Sequence, residues 1–231
     1  IFGPVADGAV IPYDWEKALH SDRYWSGRAL VGSCRGELAF YKFIDPDLTE
    51  HAPAIAEGLF GLNAETAKED YERLCREAVQ KNGTCDEEAK KDIWGKVLSD
   101  YMYRTYSSRL AKILEKNGST VYKYSMEYAP AIHCLDQNLA FETKDGGEML
   151  CQDEEMRQAN LRVGQVIFEA YTNFICTGDP NGAGVPVWKE YRDTKDGENR
   201  YLQMCWDTES KEAPEPEDDT LSGFPEQVYR L

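Results

Sequence analysis

Strand-like runs are few and widely spaced in this 231-residue chain, and their spacing constrains the fold more than any other feature. Apolar residues at Ala29–Val31 predict a short buried strand that turns at Gly32. A second, alternating run begins at Tyr122, and Asn199–Trp206 is a third candidate. Because strands separated by long helical stretches pair in parallel, the pattern predicts an α/β fold with a mainly parallel sheet flanked by helices.

Helical periodicity occupies the stretches between the strands. The pattern is helical from about Asn63 to Asn117, with an Asn-Gly break after Asn82, and Asn63 is the predicted N-cap of the first helix. A later apolar stripe, starting near Leu161, is stopped by Gly178-Asp179-Pro180. Three strands are few for a parallel sheet that must be covered on both faces, so we expect the sheet to be incomplete without upstream sequence.

The charge of the chain excludes some classes of partner. A net charge of −16 argues against binding to nucleic acid or to an anionic membrane, because both need a basic surface. No apolar run reaches the length of about 18 residues that a transmembrane helix needs. The segment Asp207–Asp219 holds seven acidic residues, one lysine and two prolines, and it is typical of a solvated linker or tail.

The cysteine pattern favours unbridged thiols. The chain has seven cysteines, an odd number, and it has no C-x-x-C motif, so the sequence indicates neither a zinc site nor a full disulfide framework. Buried free thiols are the expected state in a reducing compartment, and we therefore expect a cytoplasmic protein. The N-terminal residues lack the basic and apolar regions of a signal peptide.

A carboxylate and an imidazole each follow a predicted strand. Glu37 comes just after the Val31 strand, and His133, one of three histidines, comes just after the Tyr122 strand. A carboxylate that accepts the imidazole Nδ1–H fixes the tautomer and stabilises the imidazolium that forms when the histidine takes a hydroxyl proton. This spacing alone is weak evidence, since a single histidine after a strand is more often a structural hydrogen-bonding residue.

Five stretches, taken in order, carry a resemblance to a known family. They are "FGPVADGAVIP", "VGSCRGELAFY", "SDYMYRTYSSRLAK" followed by "VYKYSMEY", "PAIHCLDQNLAF" and "FICTGDPNGAGVPVWKEY". The second resembles the motif G-x-x-x-D-E-G-x-x-F and the fourth resembles G-A-x-H-G-x-E-x-x-x-x-F. Together they are similar to the C-terminal half of the type B carboxylesterases, the esterases and lipases related to cholinesterases.

The resemblance implies a site divided between two parts of one enzyme. Residues 1–206 would be the C-terminal portion of an α/β-hydrolase catalytic domain, and residues 207–231 an acidic linker and tail. Glu37 matches the triad acid, His133 matches the triad base, and Asp136 falls on an acidic position expected to support the histidine loop. The chain has no G-x-S-x-G motif, so the nucleophilic serine would come from an upstream part, without which this chain is expected to be inactive.

The implied reaction is hydrolysis of a small lipophilic ester through an acyl-enzyme, with no metal or organic cofactor. Some residues depart from the family pattern: Gly36 and Leu38 flank the acid where the family has Asp and Gly, and Pro130 and Cys134 flank the histidine loop where it has Gly.

The sequence leaves two alternative functions open. One is a catalytically silent cholinesterase-like interaction module, and the other is an unrelated acidic α/β binding domain.

Overall fold

The computed structural model describes residues 5–19, 21, 26–141, 151–192, 202–207 and 209–214. The helices in this part of the chain are α1 (Trp15–Leu19), α2 (Tyr41–Ile44), α3 (Leu48–Phe60), α4 (Ala64–Asn82), α5 (Glu87–Ser99), α6 (Thr105–Lys116), α7 (Leu135–Phe141) and α8 (Glu154–Thr177). The strands are β1 (Arg28–Cys34), β2 (Thr120–Met126), β3 (Leu202–Trp206) and β4 (Lys211–Pro214). A 3₁₀ turn (Gly61–Asn63) precedes α4, and a π-helical turn (Asp100–Arg104) joins α5 to α6.

The described strands form one sheet in the order β1-β2-β3-β4. The pairs β1–β2 and β2–β3 are parallel, and β4 pairs with β3 in antiparallel orientation. The mainly parallel α/β architecture expected from the sequence is therefore confirmed. Strand β2 is buried along nearly its whole length, as expected for a central strand covered on both faces.

Several helix boundaries follow local signals, but the predicted cap of α4 makes no capping hydrogen bond. Gly83 and Gly178 end α4 and α8 in the left-handed conformation, with φ of 79° and 76°. Asp86 and Asp153 cap α5 and α8, each accepting a hydrogen bond from the backbone N–H three residues on, at 2.9 and 2.8 Å. Asn63 occupies the N-cap position of α4, as predicted, but its side chain is buried and makes no capping bond.

Two apolar clusters form most of the described core. One cluster packs the sheet against α7 and α8 and centres on Tyr124, Trp188 and Trp206, whose rings meet mostly edge to face. The second cluster joins α3, α4 and α5 around Phe60 and Trp94. The sheet cluster holds the carboxyl ends of β1 and β2 in place, and the helical cluster packs beside the loop that follows β1.

The acidic segment after residue 206 differs from the expected linker. Residues Lys211–Pro214 form β4, which pairs with β3 from Lys211 opposite Cys205 to Pro214 opposite Leu202. Asp207 shapes the intervening turn, since its Oδ1 accepts hydrogen bonds from the backbone N–H groups of Glu209 and Ser210. Pairing with β3 satisfies the backbone hydrogen-bonding groups of this segment, although its composition alone indicates a solvated chain. Residues 215–231 of the predicted tail lie outside the described residues.

No helix in the described ranges combines the length and the apolar character needed to cross a bilayer.

Gly32 gives a test of the packing between β1 and β2. It lies opposite Tyr124, and a Cβ at this position would come within 2.3 Å of the Tyr124 ring. The ring has little room to move because its hydroxyl is bonded to the buried Asp136. We expect Gly32→Ala to lower the free energy of unfolding of the complete protein by about 1–3 kcal/mol, measured by urea denaturation.

The control is Gly58→Ala on the exposed side of α3, where an added Cβ meets nothing within 4 Å. Helix propensity predicts that this change stabilises the protein by about 0.5–1 kcal/mol. Equal effects of the two substitutions would contradict the close contact between Gly32 and Tyr124.

Candidate active site

The parallel pairing of β1 and β2 brings the two candidate residues together. Cys34 pairs with Met126 at the last position of the register, so both strands end at the same edge of the sheet. The loop after β1 carries Glu37 and the loop after β2 carries His133. The Nδ1 atom of His133 lies 2.7 Å from Oε2 of Glu37, which is hydrogen-bonding distance. Glu37 is 5% exposed, whereas the His133 side chain is 46% exposed.

The loop that carries Glu37 is held by several hydrogen bonds. The second carboxylate oxygen, Oε1, accepts a bond from the backbone N–H of Cys34 at 2.8 Å. The backbone carbonyl of Glu37 accepts a bond from the backbone N–H of His133 at 3.2 Å. On the other side, the N–H of Leu38 donates to the hydroxyl of Ser99 at 2.8 Å. The Glu37 carboxylate is therefore fixed at both oxygens, and its loop is linked to the histidine loop and to α5.

The histidine loop takes an unusual backbone path between β2 and α7. The Ala129–Pro130 peptide is cis, and Ala131 and Cys134 have φ of 50° and 64°. Positive φ is costly for residues with a Cβ, by roughly 1–2 kcal/mol each. A glycine after the histidine, as in the family motif that the sequence resembles, suits this conformation, and Cys134 adopts it in spite of its side chain. The N–H of Gly36 donates to the carbonyl of Ala131 at 2.9 Å and ties the two loops together.

Asp136 lies behind the histidine loop, in the first turn of α7. Its Oδ2 accepts a hydrogen bond from the Tyr124 hydroxyl at 2.6 Å, and the Tyr171 hydroxyl lies 3.5 Å from the same atom. Its Oδ1 accepts from the backbone N–H of Gln137 and lies 3.7 Å from the Cys34 thiol. Burial raises the pKa of Tyr124, helped by Tyr171 and Asp136, so its hydroxyl stays protonated and able to donate. Asp136 thus joins α7 to β2 and α8.

Cys34 and Cys134 lie beside Glu37 and His133, and their environments suppress thiol reactivity. Burial raises the pKa of the Cys34 thiol well above its usual range, and the nearby carboxylates of Asp136 and Glu37 raise it further. Burial also raises the pKa of Cys134. A protonated thiol is a poor nucleophile and a poor metal ligand. Within the described ranges, no group of three or more His, Cys, Asp or Glu side chains could hold a metal ion.

Sequence patterns did not reveal three of the residues that surround the pair. Ser99 supports the Glu37 loop from the end of α5, and Tyr171 reaches Asp136 from α8. Tyr103, in the π-helical turn, places its ring centroid 5.3 Å from that of His133. All three lie in helices far from the loops in sequence, where their residue types are compatible with an ordinary helix, so no local signal identifies them.

The other two histidines are separate from this site. His51 pairs with Asp45 at 2.8 Å on the surface. His20 lies outside the described residues.

Comparison with known proteins establishes the family. The model of the carboxylesterase family matches residues 1–220, and the chain therefore belongs to that family. Carboxylesterase 1D of Mus musculus is 25% identical over 224 residues, which cover 89% of this chain and 38% of the relative. Liver carboxylesterase 1 of Mus musculus is 29% identical, with coverage of 87% and 37%. The chain thus spans less than half the length of these curated relatives.

Solved structures give the same fold. A carboxylesterase of Geobacillus stearothermophilus matches with a TM-score of 0.67 and 22% identity, over 97% of this chain and 44% of that one. A PNB esterase matches with a TM-score of 0.69, also at 22% identity and with the same coverage. The expectation of a partial α/β-hydrolase fold is confirmed.

Ser99 provides a test of how the Glu37 loop is supported. Its hydroxyl accepts from Leu38 N–H and donates to the carbonyl of Gly95, and all these groups are buried. Ser99→Ala leaves the Leu38 N–H without its acceptor, so we expect the free energy of unfolding to fall by about 1–3 kcal/mol. The matched control is Ser107→Ala in α6, whose partly buried hydroxyl donates a long hydrogen bond to the Arg104 carbonyl at 3.3 Å. Equal losses for the two variants, measured by chemical denaturation, would argue against this role of Ser99.

The protonation of the Cys34 thiol can be tested by chemical labelling. Because its folded pKa lies well above the ordinary thiol value of 9.0, the thiol stays protonated in the folded protein as the pH rises towards that value. We expect iodoacetamide to leave Cys34 unlabelled in the complete folded protein at mildly alkaline pH and to label it after unfolding in urea. Peptide mass spectrometry measures both. Labelling of folded Cys34 as fast as in the unfolded chain would show a reactive thiol.

Proposed function

We propose that this chain supplies the acid, Glu37, and the base, His133, of a Ser-His-Glu triad that hydrolyses carboxylic esters. The observation that carries the proposal is the 2.7 Å contact between His133 Nδ1 and a buried Glu37 carboxylate. Membership of the carboxylesterase family supports the same reaction class. A buried carboxylate beside a half-exposed imidazole is the arrangement that a proton-transferring histidine needs.

The mechanism follows from the two nitrogens of the imidazole. With Nδ1–H donated to Glu37, Nε2 is left as the basic nitrogen, and it can accept the proton of a serine hydroxyl that attacks the ester carbonyl. His133 then returns that proton to the departing alcohol, and an acyl-enzyme remains. In the second half of the cycle His133 activates a water molecule in the same way, which releases the acid. Glu37 stabilises the imidazolium in both halves, and the chemistry requires neither a metal nor an organic cofactor.

The serine of this triad is proposed to come from an upstream part of the same enzyme. This chain has no G-x-S-x-G motif and matches only 38% of the length of a carboxylesterase relative. Strand β1 lies at the edge of the described sheet, and Phe141 and Ile175 expose 64% and 78% of their surface. An open strand edge and exposed apolar side chains both favour a covering segment. We therefore expect residues 1–231 alone to lack esterase activity.

The substrate is proposed to be a small lipophilic ester. The strongly acidic chain disfavours polyanionic ligands such as nucleic acids. Many of the aromatic residues of this chain are in the core, so we assign none of them to substrate specificity. Asp136 is proposed to support the histidine loop, because it connects α7 to Tyr124 in β2.

Substitution of the pair tests the proposal in the complete protein. We expect His133→Ala to abolish turnover of short p-nitrophenyl esters, since no other group would take the serine proton. Glu37→Gln should lower kcat by about 10⁴-fold with little change in KM, because the amide cannot stabilise the imidazolium. Circular dichroism should show that both variants keep the fold.

The matched control is His51→Ala, which breaks a second contact between a histidine and a carboxylate, 2.8 Å long and on the surface. This variant should retain full activity. Near-normal turnover by His133→Ala would refute the triad. The upstream sequence separates the remaining alternative: a residue other than serine at the nucleophile position would favour a silent interaction module.

A further inference from the structure

The aromatic ring of Tyr103 packs against the imidazole of His133. The two ring centroids are 5.3 Å apart and the ring planes are inclined by 52°. Tyr103 is half-buried and packs at the border of the helical cluster that contains Phe60 and Trp94. Its hydroxyl has a raised pKa, first because of burial and then because of Glu37, so the side chain is neutral beside the pair.

The ring of Tyr103 is positioned by a π-helical turn between α5 and α6. Residues Asp100–Arg104 form a π-helical turn in which the N–H of Thr105 donates to the carbonyl of Asp100. Turns of this kind are rare and are frequently found at functional sites. The buried carboxylate of Asp100 holds the turn through ion pairs with Lys96 on one side and Arg104 on the other.

Tyrosines of the same turn serve different parts of the molecule. Tyr101 is fully buried, and its hydroxyl donates to Asp70 of α4 at 2.5 Å. This contact anchors the turn to the helical cluster. Tyr103 instead reaches His133 in the loop after β2, so it connects the helical cluster directly to the proposed base.

The hydrogen bond to Glu37 does not by itself fix the imidazole. It restrains Nδ1, but the ring can still tilt about that contact, and such a tilt moves Nε2, the atom that must meet the serine hydroxyl. A neighbouring ring at 5.3 Å limits this motion through van der Waals contact. Displacements of about 1 Å at a reacting atom can cost about a hundredfold in rate.

We propose that Tyr103 is a positioning residue for His133, and that its ring, not its hydroxyl, holds the imidazole in the orientation set by Glu37. The proposal rests on the proposed function in one respect, since the rate effect requires His133 to be the base. The orientation effect does not depend on it, because the contact between Tyr103 and His133 is present whatever His133 does.

The experiment compares Tyr103→Ala and Tyr103→Phe in the complete protein. We expect Tyr103→Ala to lower kcat by about ten- to a hundredfold with little change in KM for both p-nitrophenyl acetate and p-nitrophenyl butyrate. The proton NMR signal of His133 Nδ1–H should broaden in the same variant. Tyr103→Phe keeps the ring and should restore both the rate and the signal.

Tyr71→Ala is the matched control. Tyr71 stacks on Trp94 with ring centroids 4.1 Å apart, so its removal also takes away an aromatic contact from the helical cluster, but away from His133. This variant should lose thermal stability while keeping kcat and the Nδ1–H signal. Should Tyr103→Ala fail to fold, Tyr103→Leu takes its place, since it fills part of the volume without an aromatic face.

Three results would overturn the proposal. The first is a Tyr103→Ala variant that keeps both kcat and the NMR signal. The second is a Tyr103→Phe variant as impaired as Tyr103→Ala. The third is a Tyr103→Ala variant that changes only KM, and for one ester only, which would make Tyr103 part of the substrate pocket. An active His133→Ala variant would instead refute the proposed function. In that case the NMR comparison would still test the contact between Tyr103 and His133.

Discussion

The parallel register between β1 and β2 is the constraint on which the candidate site depends. Cys34 lies opposite Met126, so both strands end together and the loops that follow them meet. A shift of one residue would turn every side chain of the shifted strand to the opposite face of the sheet and misalign the two loops. Gly32 makes the close approach of Tyr124 possible in this register, because any Cβ there would collide with the tyrosine ring.

Support for the two loops comes from elements that are distant in sequence. Ser99 of α5 holds the Glu37 loop, and Asp136 fastens α7 to Tyr124 of β2. Tyr103 lies against the imidazole from the π-helical turn. Functional groups are precise when neighbouring packing and hydrogen bonds fix them, and here the carboxylate is buried while the imidazole remains partly open. This difference in exposure fits the proposed triad, in which only the histidine would meet the serine and the substrate.

The position of Glu37 and His133 at the end of the described sheet fits the proposal that another segment completes the site. The described sheet has β1 at one edge, and apolar residues such as Phe141 and Ile175 are largely exposed. The proposed upstream part would provide the serine and cover such surfaces at once. The proposed triad and the burial of these apolar side chains would therefore both require further structure packed against this part.

The sequence by itself determined the class of fold, the helix ends at Gly83 and Gly178, and the candidates Glu37 and His133, because periodicity, glycine breaks and motifs are local signals. Only the tertiary structure decided that Lys211–Pro214 forms a strand, since its acidic composition disfavours one until β3 offers backbone partners. It also decided that Asn63 does not cap α4, and that Ser99 and Tyr103 support the pair. These outcomes depend on contacts between residues that are distant along the chain, and the local sequence pattern does not predict such contacts.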